Sequence, residues 1–364
     1  MPKLLIVGIG GGVGHYTASY LSTAGLTEIV GADPSPKAAE RLKPEWNIPL
    51  YPSMAEAFAA EDIGGIYICT PDAAHRDNVL EALEFGVPVL CEKPMGINRQ
   101  EALDMLEADR RSQGWLQIGF EYRFSKAFWR MHEIIAEREL GAPLNVISEY
   151  CSGPWGPNAG WRLIPELNPG VFNEKLCHMV DLFRFWLEDD IAEVQAYAGA
   201  HVLPWYPPEI PDNVLGVYRF RRGGLGILIH NHVVAGDAIG LGGLVNVLSN
   251  LPGADCTPFR QSGHSQRNIV ICERGTLICD IWGKTLVVNE MPGGGEMLRT
   301  KRIEHFHEDV MMDLSHDMHG EVADFIQRFQ EGLPSRLDAE DSYLSSIATL
   351  ASEESLRTKQ LVKL

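Results

Sequence analysis

Four sets of residues in this sequence could do chemistry. The first is Gly8-Ile9-Gly10-Gly11-Gly12-Val13-Gly14, which follows the apolar run Leu4-Leu5-Ile6-Val7 and opens a helical pattern. Glycines at such a place permit a tight turn and let backbone N–H groups approach a pyrophosphate at a helix N-terminus. The usual G-x-G-x-x-G spacing would put its last glycine at Val13, so the loop reads as G-x-G-x-x-x-G ending at Gly14. The second is Asp33, in Gly31-Ala32-Asp33-Pro34 after the next apolar run. A carboxylate there accepts hydrogen bonds from the adenosine ribose hydroxyls and repels a 2′-phosphate, which favours NAD over NADP. The plainer reading of Asp33 is a helix N-cap ahead of Pro36, and Lys37 would tolerate a phosphate.

The third is Lys93, which follows the run Val87-Pro88-Val89-Leu90-Cys91 and so emerges at the carboxyl edge of a sheet, where open α/β sheets bind ligands. Taking hydride from a carbinol carbon requires the hydroxyl to lose its proton. A lysine beside a cationic nicotinamide polarises that oxygen, or acts as a base when its pKa is lowered. The fourth is a helix expected from Asn173, with Leu176, Met179, Val180, Phe183 and Leu187 on one side and Glu174, Cys177, His178 and Asp181 on another. On that second face His178 is the candidate general acid/base, with Glu174 orienting it or binding substrate hydroxyls. A buried structural histidine is the competing account, and Asp181 either binds substrate or pairs along the helix.

The elements that must position these residues fall into two textures. From Lys3 to Phe120, β-rich runs (4–7, 28–30, 65–69, 87–91, 116–119) alternate with helical stretches (13–24, 36–42, 74–85, 101–112), the pattern of parallel strands with crossover helices. Beyond Tyr122, a helix at 128–137 precedes strands at 144–150, 194–200, 214–220, 225–230, 268–272 and 286–288, separated by turns such as Arg222-Gly223-Gly224. The fold class is therefore α/β: an N-terminal Rossmann domain (1–122) with a parallel doubly wound sheet, and a C-terminal α+β domain (123–364) with a large, mainly antiparallel sheet. The glycine-rich segment 235–266 reads as a functional flap, and 339–359 as a closing helix capped by Asp338.

Composition narrows the function. A chain of 364 residues with 31 basic and 49 acidic side chains carries a formal charge of −18. That field repels a polyphosphate backbone, so nucleic acid is not an expected partner, and it leans towards a neutral substrate. The seven cysteines are odd in number and form no C-x-x-C pair, the usage of reduced thiols. His230 with His232, His305 with His307 and His316 with His319 form no recognised ligand set, so no metal is expected, although His232 could reach a substrate from the sheet face. Met1-Pro2-Lys3 runs into a strand without a signal-peptide pattern, and no apolar stretch has membrane-spanning length, so a cytoplasmic protein with no membrane partner is expected.

Five segments together resemble the glucose-fructose oxidoreductase, inositol dehydrogenase and rhizopine-catabolism (Gfo/Idh/MocA) family over almost the whole chain. They are Cys69-Thr70-Pro71-Asp72 with His75, Cys91-Glu92-Lys93-Pro94, Glu121-Tyr122-Arg123-Phe124, Asn173-Glu174-Lys175-Leu176-Cys177-His178 with Asp181, and Ala351-Ser352-Glu353-Glu354-Ser355-Leu356. The resemblance implies NAD lying across the edge of the parallel sheet, against the glycine loop, Asp33, Thr70, Pro71, His75, Glu92 and Lys93. It also implies a cis bond before Pro94 and a second-domain sheet that forms the far wall and mediates a homodimer or homotetramer. The implied activity is hydride transfer at a secondary alcohol or ketone of a sugar, cyclitol or glycoside; the alternative is a redox-neutral, NAD-dependent cleavage of a glycoside through transient oxidation at C3. Lys93, Glu174, Lys175, His178 and Asp181 are then substrate-site candidates. Arg123, Trp161 and Arg162 either join them or are ordinary packing and surface residues. The chain departs from the family pattern in having Glu174 where Asp is usual and Leu176 where glycine is common.

Overall fold

Strands that read as unbroken apolar runs must be covered on both faces, and the first strand meets that condition in a central position. The structure, a computed structural model, describes residues 2–232, 265–293 and 296–364. In it β1 (Lys3–Val7) lies between β2 (Ile29–Ala32) and β4 (Ile63–Ile68) in a six-stranded sheet ordered β3-β2-β1-β4-β5-β6. With β3 (Leu50–Tyr51), β5 (Val89–Glu92) and β6 (Leu116–Gly119), every pairing is parallel. This is the doubly wound order whose switch point lies beside β1. The crossovers carry α1 (Gly12–Ala24), α2 (Ala38–Arg41), α3 (Met54–Ala60), α4 (His75–Glu84) and α5 (Arg99–Arg111). Their ends follow local chemistry: Gly25 closes α1 at φ 65°, and the side chains of Ser53 and Asn98 accept the Glu56 and Glu101 N–H groups.

The helix expected at 36–42 is only the single turn α2. Asp33 does not cap it; its Oδ1 accepts the Ser35 N–H at 2.9 Å and the chain does not enter the helix until Ala38. Neither β3 nor α3 was legible in the sequence, being too short to show a period.

The chain divides into two compact units, residues 1–121 with 317–347, and residues 122–316 with 348–364. Segment 317–347, assigned from sequence to the second domain, thus packs in the first. The cause is α9 (Met318–Glu331), whose Val322, Phe325 and Ile326 join the core of Leu4, Ile6, Tyr67 and Leu90. Gly64 and Gly65 make room for it: a Cβ at Gly65 would stand 2.7 Å from the Phe329 ring.

In the second unit α6 (Lys126–Ala136), α7 (Val171–Glu174) and α8 (Cys177–Leu187) accompany a nine-stranded sheet ordered β14-β13-β12-β11-β7-β10-β9-β8-β15. Its strands are β7 (Pro143–Cys151), β8 (Ile191–Ala198), β9 (Asn213–Phe220), β10 (Leu225–Asn231), β11 (Ser265–Cys272), β12 (Gly275–Asp280), β13 (Thr285–Glu290), β14 (Arg299–His305) and β15 (Val362–Lys363). Among the described residues only β7 and β10 of this sheet pair parallel. Alternation along each strand sends Val146, Tyr218, Leu228, Val270 and Leu277 into the core with Phe183 and Trp186 of α8. Residues 235–264 of the expected flap lie outside the described residues, while Ser265 and Gln266 open β11.

The last helix, α10 (Ala339–Thr358), begins in the first unit and ends in the second, and Asp338 caps it through the Asp341 N–H at 2.7 Å. From it Glu353 reaches the start of α7, where Oε1 accepts the N–H groups of Phe172 (2.7 Å) and Asn173 (3.2 Å). Burial nevertheless pushes the Glu353 carboxyl up to about 8. The folded chain therefore keeps a proton there that the unfolded chain releases in the ordinary glutamate range, and the stability linked to this group falls as pH rises from that range through about 8. Urea midpoints taken across this window are expected to fall less steeply for Glu353→Gln than for the parent chain.

Candidate active site

The glycine loop forms a cradle that side chains would fill. Gly8 (φ 80°) and Gly12 (φ 50°) occupy the left-handed region. A Cβ at Gly10 would stand 2.6 Å from that of Ala38, and one at Gly14 would stand 2.6 Å from the Gly8 carbonyl oxygen. Gly11 is the N-cap of α1 with no side-chain cap, and no acidic residue occupies the first turn, so the positive end of a 13-residue helix is left for an anion. Val13 turns its side chain onto the core, leaving backbone on the cradle side. Asp33 closes the far end: its Oδ2 accepts the Gly10 N–H at 3.0 Å, and Arg41 donates to the Gly10 carbonyl at 2.8 Å. These groups fit a dinucleotide, with a carboxylate and a guanidinium at the ribose end.

Thr70 and Pro71 follow β4, and Glu92 ends β5, so both sit at the carboxyl edge of the sheet with Lys93 next. The Lys93–Pro94 peptide is cis. His75, expected to touch the cofactor, is fully buried, and its Nδ1 and Nε2 each lie 2.9 Å from a main-chain carbonyl, of Pro94 and Thr70 respectively. Burial lowers its pKa. His75 thus ties the end of β4 to the turn that carries Lys93 and acts as a positioning residue. Glu92 is buried too; it accepts a 2.5 Å hydrogen bond from the Tyr67 hydroxyl, and burial with the neighbouring Glu121 charge pushes it up to about 7.

In the second unit the expected continuous helix is broken after one turn. α7 stops at Glu174, Leu176 sends its N–H to the Val171 carbonyl at 3.0 Å, and α8 begins at Cys177. Both sides of α8 are buried, because the sheet and α6 enclose it. The polar residues consequently meet different partners. Glu174 accepts the Arg162 Nε at 2.8 Å, and the Arg162 guanidinium lies over the Trp161 ring at 4.5 Å, which brings three of the expected residues together. Arg123 and Asp181 also meet, through two 2.7 Å hydrogen bonds. Lys175 reaches over the Tyr150 ring at 5.8 Å.

His178 stacks on Tyr122, with centroids 4.4 Å apart and planes at 14°, and the Tyr122 hydroxyl lies 3.2 Å from Nε2 of His316. Neither Tyr122 nor His316 was assigned a role from sequence; the signal was the motif Glu121-Tyr122-Arg123-Phe124, which was read for its arginine. His232 is buried, its Nδ1 2.9 Å from the Tyr206 hydroxyl. Among the described residues no group of three or more His, Cys, Asp or Glu is placed to hold a metal ion, and no helix is long and apolar enough to cross a membrane.

Two family models match: an oxidoreductase family with an NAD-binding Rossmann fold over residues 3–120, and a GFO/IDH/MocA C-terminal domain over residues 128–278. The chain is 32% identical over 172 residues to a 1,5-anhydro-D-fructose reductase of Ensifer adhaerens, covering 47% of this chain and 51% of that protein. It is 33% identical over 143 residues to an inositol 2-dehydrogenase of Rhodococcus erythropolis, covering 38% and 39%. These matches thus span about half of the first relative and about two fifths of the second. Among solved structures, a levoglucosan dehydrogenase in complex with NADH and levoglucosan superposes with a TM-score of 0.77 at 18% identity, covering 100% of this chain and 99% of that one, a likeness of fold.

The Arg123–Asp181 pair is buried, with Asp181 at 0% exposure. Arg123→Met is expected to lower stability by about 3–5 kcal/mol, because it strips a desolvated carboxylate of its bidentate partner. Urea unfolding checks this, and adding Asp181→Leu should recover part of the loss.

Proposed function

Because this chain belongs to the Gfo/Idh/MocA family of NAD-binding oxidoreductases, we propose that it transfers hydride between NAD and a secondary alcohol, or the corresponding ketone, of a sugar, cyclitol or glycoside. The observation that carries the reading is Lys93, placed at the carboxyl end of β5 in the unit that also holds the glycine cradle. NAD, when bound, supplies the hydride acceptor. Gly8, Gly10, Gly11, Gly12, Val13 and Gly14 hold its pyrophosphate through backbone N–H groups, and Asp33 accepts from the ribose hydroxyls, which favours NAD over NADP.

Lys93 polarises the substrate hydroxyl and is a proposed acceptor of its proton, and in the second unit His178 is the proposed general acid/base. Tyr122 stacked on the imidazole fixes the plane of His178. Glu174 is the remaining catalytic candidate, acting with Arg162, and the Trp161 face, Lys175 and Arg123 with Asp181 complete the proposed substrate set. The 1,5-anhydrosugar, inositol and levoglucosan named for the relatives and the structural neighbour support a polyhydroxylated neutral substrate. Screening polyols and glycosides for NADH formation tests the class, and glycoside cleavage without net NADH would instead mark the redox-neutral route. Lys93→Ala is expected to lose turnover while NADH affinity, read by fluorescence titration, stays within a few fold; full activity in that variant sinks the assignment.

We also propose a homodimer or homotetramer built on the open face of the large sheet. Strand register lines up Ile303, Val287, Ile278, Ile269, Ile147, Ile227 and Val217 across seven strands on the face turned away from the helices. Water-facing strand positions are ordinarily polar. Ile269→Asp, at the middle of this row, is expected to shift the mass measured by light scattering to that of a single chain; a monomeric parent would end the proposal.

A further inference from the structure

Three carboxyl side chains meet behind Lys93, all within the first unit. Glu92 ends β5, Glu121 lies two residues beyond β6, and Glu321 projects from α9; their exposures are 7%, 4% and 0%. Register sets Gly119 opposite Glu92. A Cβ built at Gly119 would stand 3.3 Å from the Glu92 Cα and 3.5 Å from Oε2 of Glu321, so the Glu321 carboxyl lies over the glycine next to Glu92. Other groups that face this nest are Tyr67 and Cys69 from β4 and its end, Cys91 of β5, Gln117 of β6 and Asp317 at the start of α9, with Asp72 acting on Cys91 and Lys93 acting on His75. Lys93 is the cation acting on Glu92, and Tyr67 donates to it.

Three buried carboxyls so close cannot all ionise, since each new charge meets low dielectric and its neighbours. We propose that Glu121 and Glu321 act on Lys93 through Glu92: the proton the nest retains decides whether Glu92 presents a charge to the lysine. These are positioning residues, and the inference rests on the role proposed above for Lys93. The direction of each titration agrees with the geometry. Burial, then the charges of Glu121 and Glu92, raises Glu321 well above the glutamate range. Glu92, pushed up to about 7, changes charge within the physiological range. Below that pH Glu92 presents no charge to Lys93; above it, the Glu92 carboxylate favours the ammonium form. Gly119 favours the arrangement, because a side chain there would crowd the Glu92 backbone and meet the Glu321 carboxyl. Cys69 and Cys91 add no charge, since burial raises both thiols well above their ordinary range.

Infrared titration of the full chain reads the nest, and NMR of the isotopically methylated lysines, with Lys93→Arg assigning the signal, reads the coupling. With every spectrum recorded in a Glu353→Gln background, to remove the other carboxyl raised towards neutrality, the protonated-acid carbonyl band is expected to titrate near neutrality, to lose that titrating component in Glu92→Gln and to move it to lower pH by about one unit in Glu121→Gln. Lys93 is expected to titrate about one unit lower in Glu92→Gln than in the parent. The pH profile of kcat/KM should lose its near-neutral limb in Glu92→Gln and shift it with the infrared band in Glu121→Gln. Parent-like thermal melts confirm that each variant is folded, and Glu121→Gln keeps the test open should Glu92→Gln not fold. A band indifferent to Glu92→Gln, or a Lys93 titration equal in parent and variant, overturns the proposal. Both spectroscopic readouts work without substrate, so a failure of the hydride-transfer reading would show as absent turnover with these titrations intact.

Discussion

A carboxyl group taken out of water must meet hydrogen-bond donors or keep its proton, and this chain, with 49 acidic against 31 basic side chains, faces that constraint repeatedly. Its answers differ with location. Asp181 receives a two-point guanidinium and Glu174 the Arg162 guanidinium. Glu353 receives two backbone N–H groups at a helix start, and Asp33 one from the glycine loop and one from Ser35. Glu92 receives the Tyr67 hydroxyl and the Lys93 backbone N–H and stands among other carboxyls. The first four are anchored by donors. The last changes charge near neutrality, as Glu353 does at about 8, but it alone of the five is one residue from the lysine that carries the proposed chemistry.

The sheets decide where these groups can be. In the parallel sheet the strands are apolar on both faces, so reactive side chains can appear only at strand ends, and Asp33, Thr70 and Lys93 all come just after one. His75 shows how the ends are held in register: its ring bridges carbonyls that follow two neighbouring strands, β4 and β5. In the large sheet, alternation gives one face to the helices and leaves the other with a band of aliphatic side chains.

What the sequence revealed follows the strength of its periodic signals. The parallel sheet, the glycine loop, α1, α4, α5, α6 and α10 were legible because apolar runs, caps and glycines agree there. Less was visible where tertiary packing decides. The segment 317–347 gives no local sign that Phe325 and Phe329 belong with the first unit, since their partners Tyr67, Gly64 and Gly65 lie more than 250 residues earlier. The carboxyl nest was invisible for the same reason: Glu92, Glu121 and Glu321 come together only through strand register and α9. The pairing of Arg123 with Asp181 joins residues 58 apart, and each by itself looks equally like a ligand contact or a packing residue.

The break between α7 and α8 explains why the helical-face argument for Glu174 and His178 needed revision. A continuous helix would stack residues four apart on one stripe. At Lys175 the backbone opens to φ −117°, and Leu176 reaches five residues back to Val171, inserting an extra residue into the turn. Leu176 is itself fully buried, so its side chain is part of the core that fixes the break. Released from a shared stripe, Glu174 turns to Arg162 and His178 to the Tyr122 ring. The longer glutamate and the leucine, which looked like two separate departures from the family pattern, are thus parts of one local solution: the chain fills the place of a small residue with apolar volume and lets the longer carboxylate find a guanidinium instead of the imidazole.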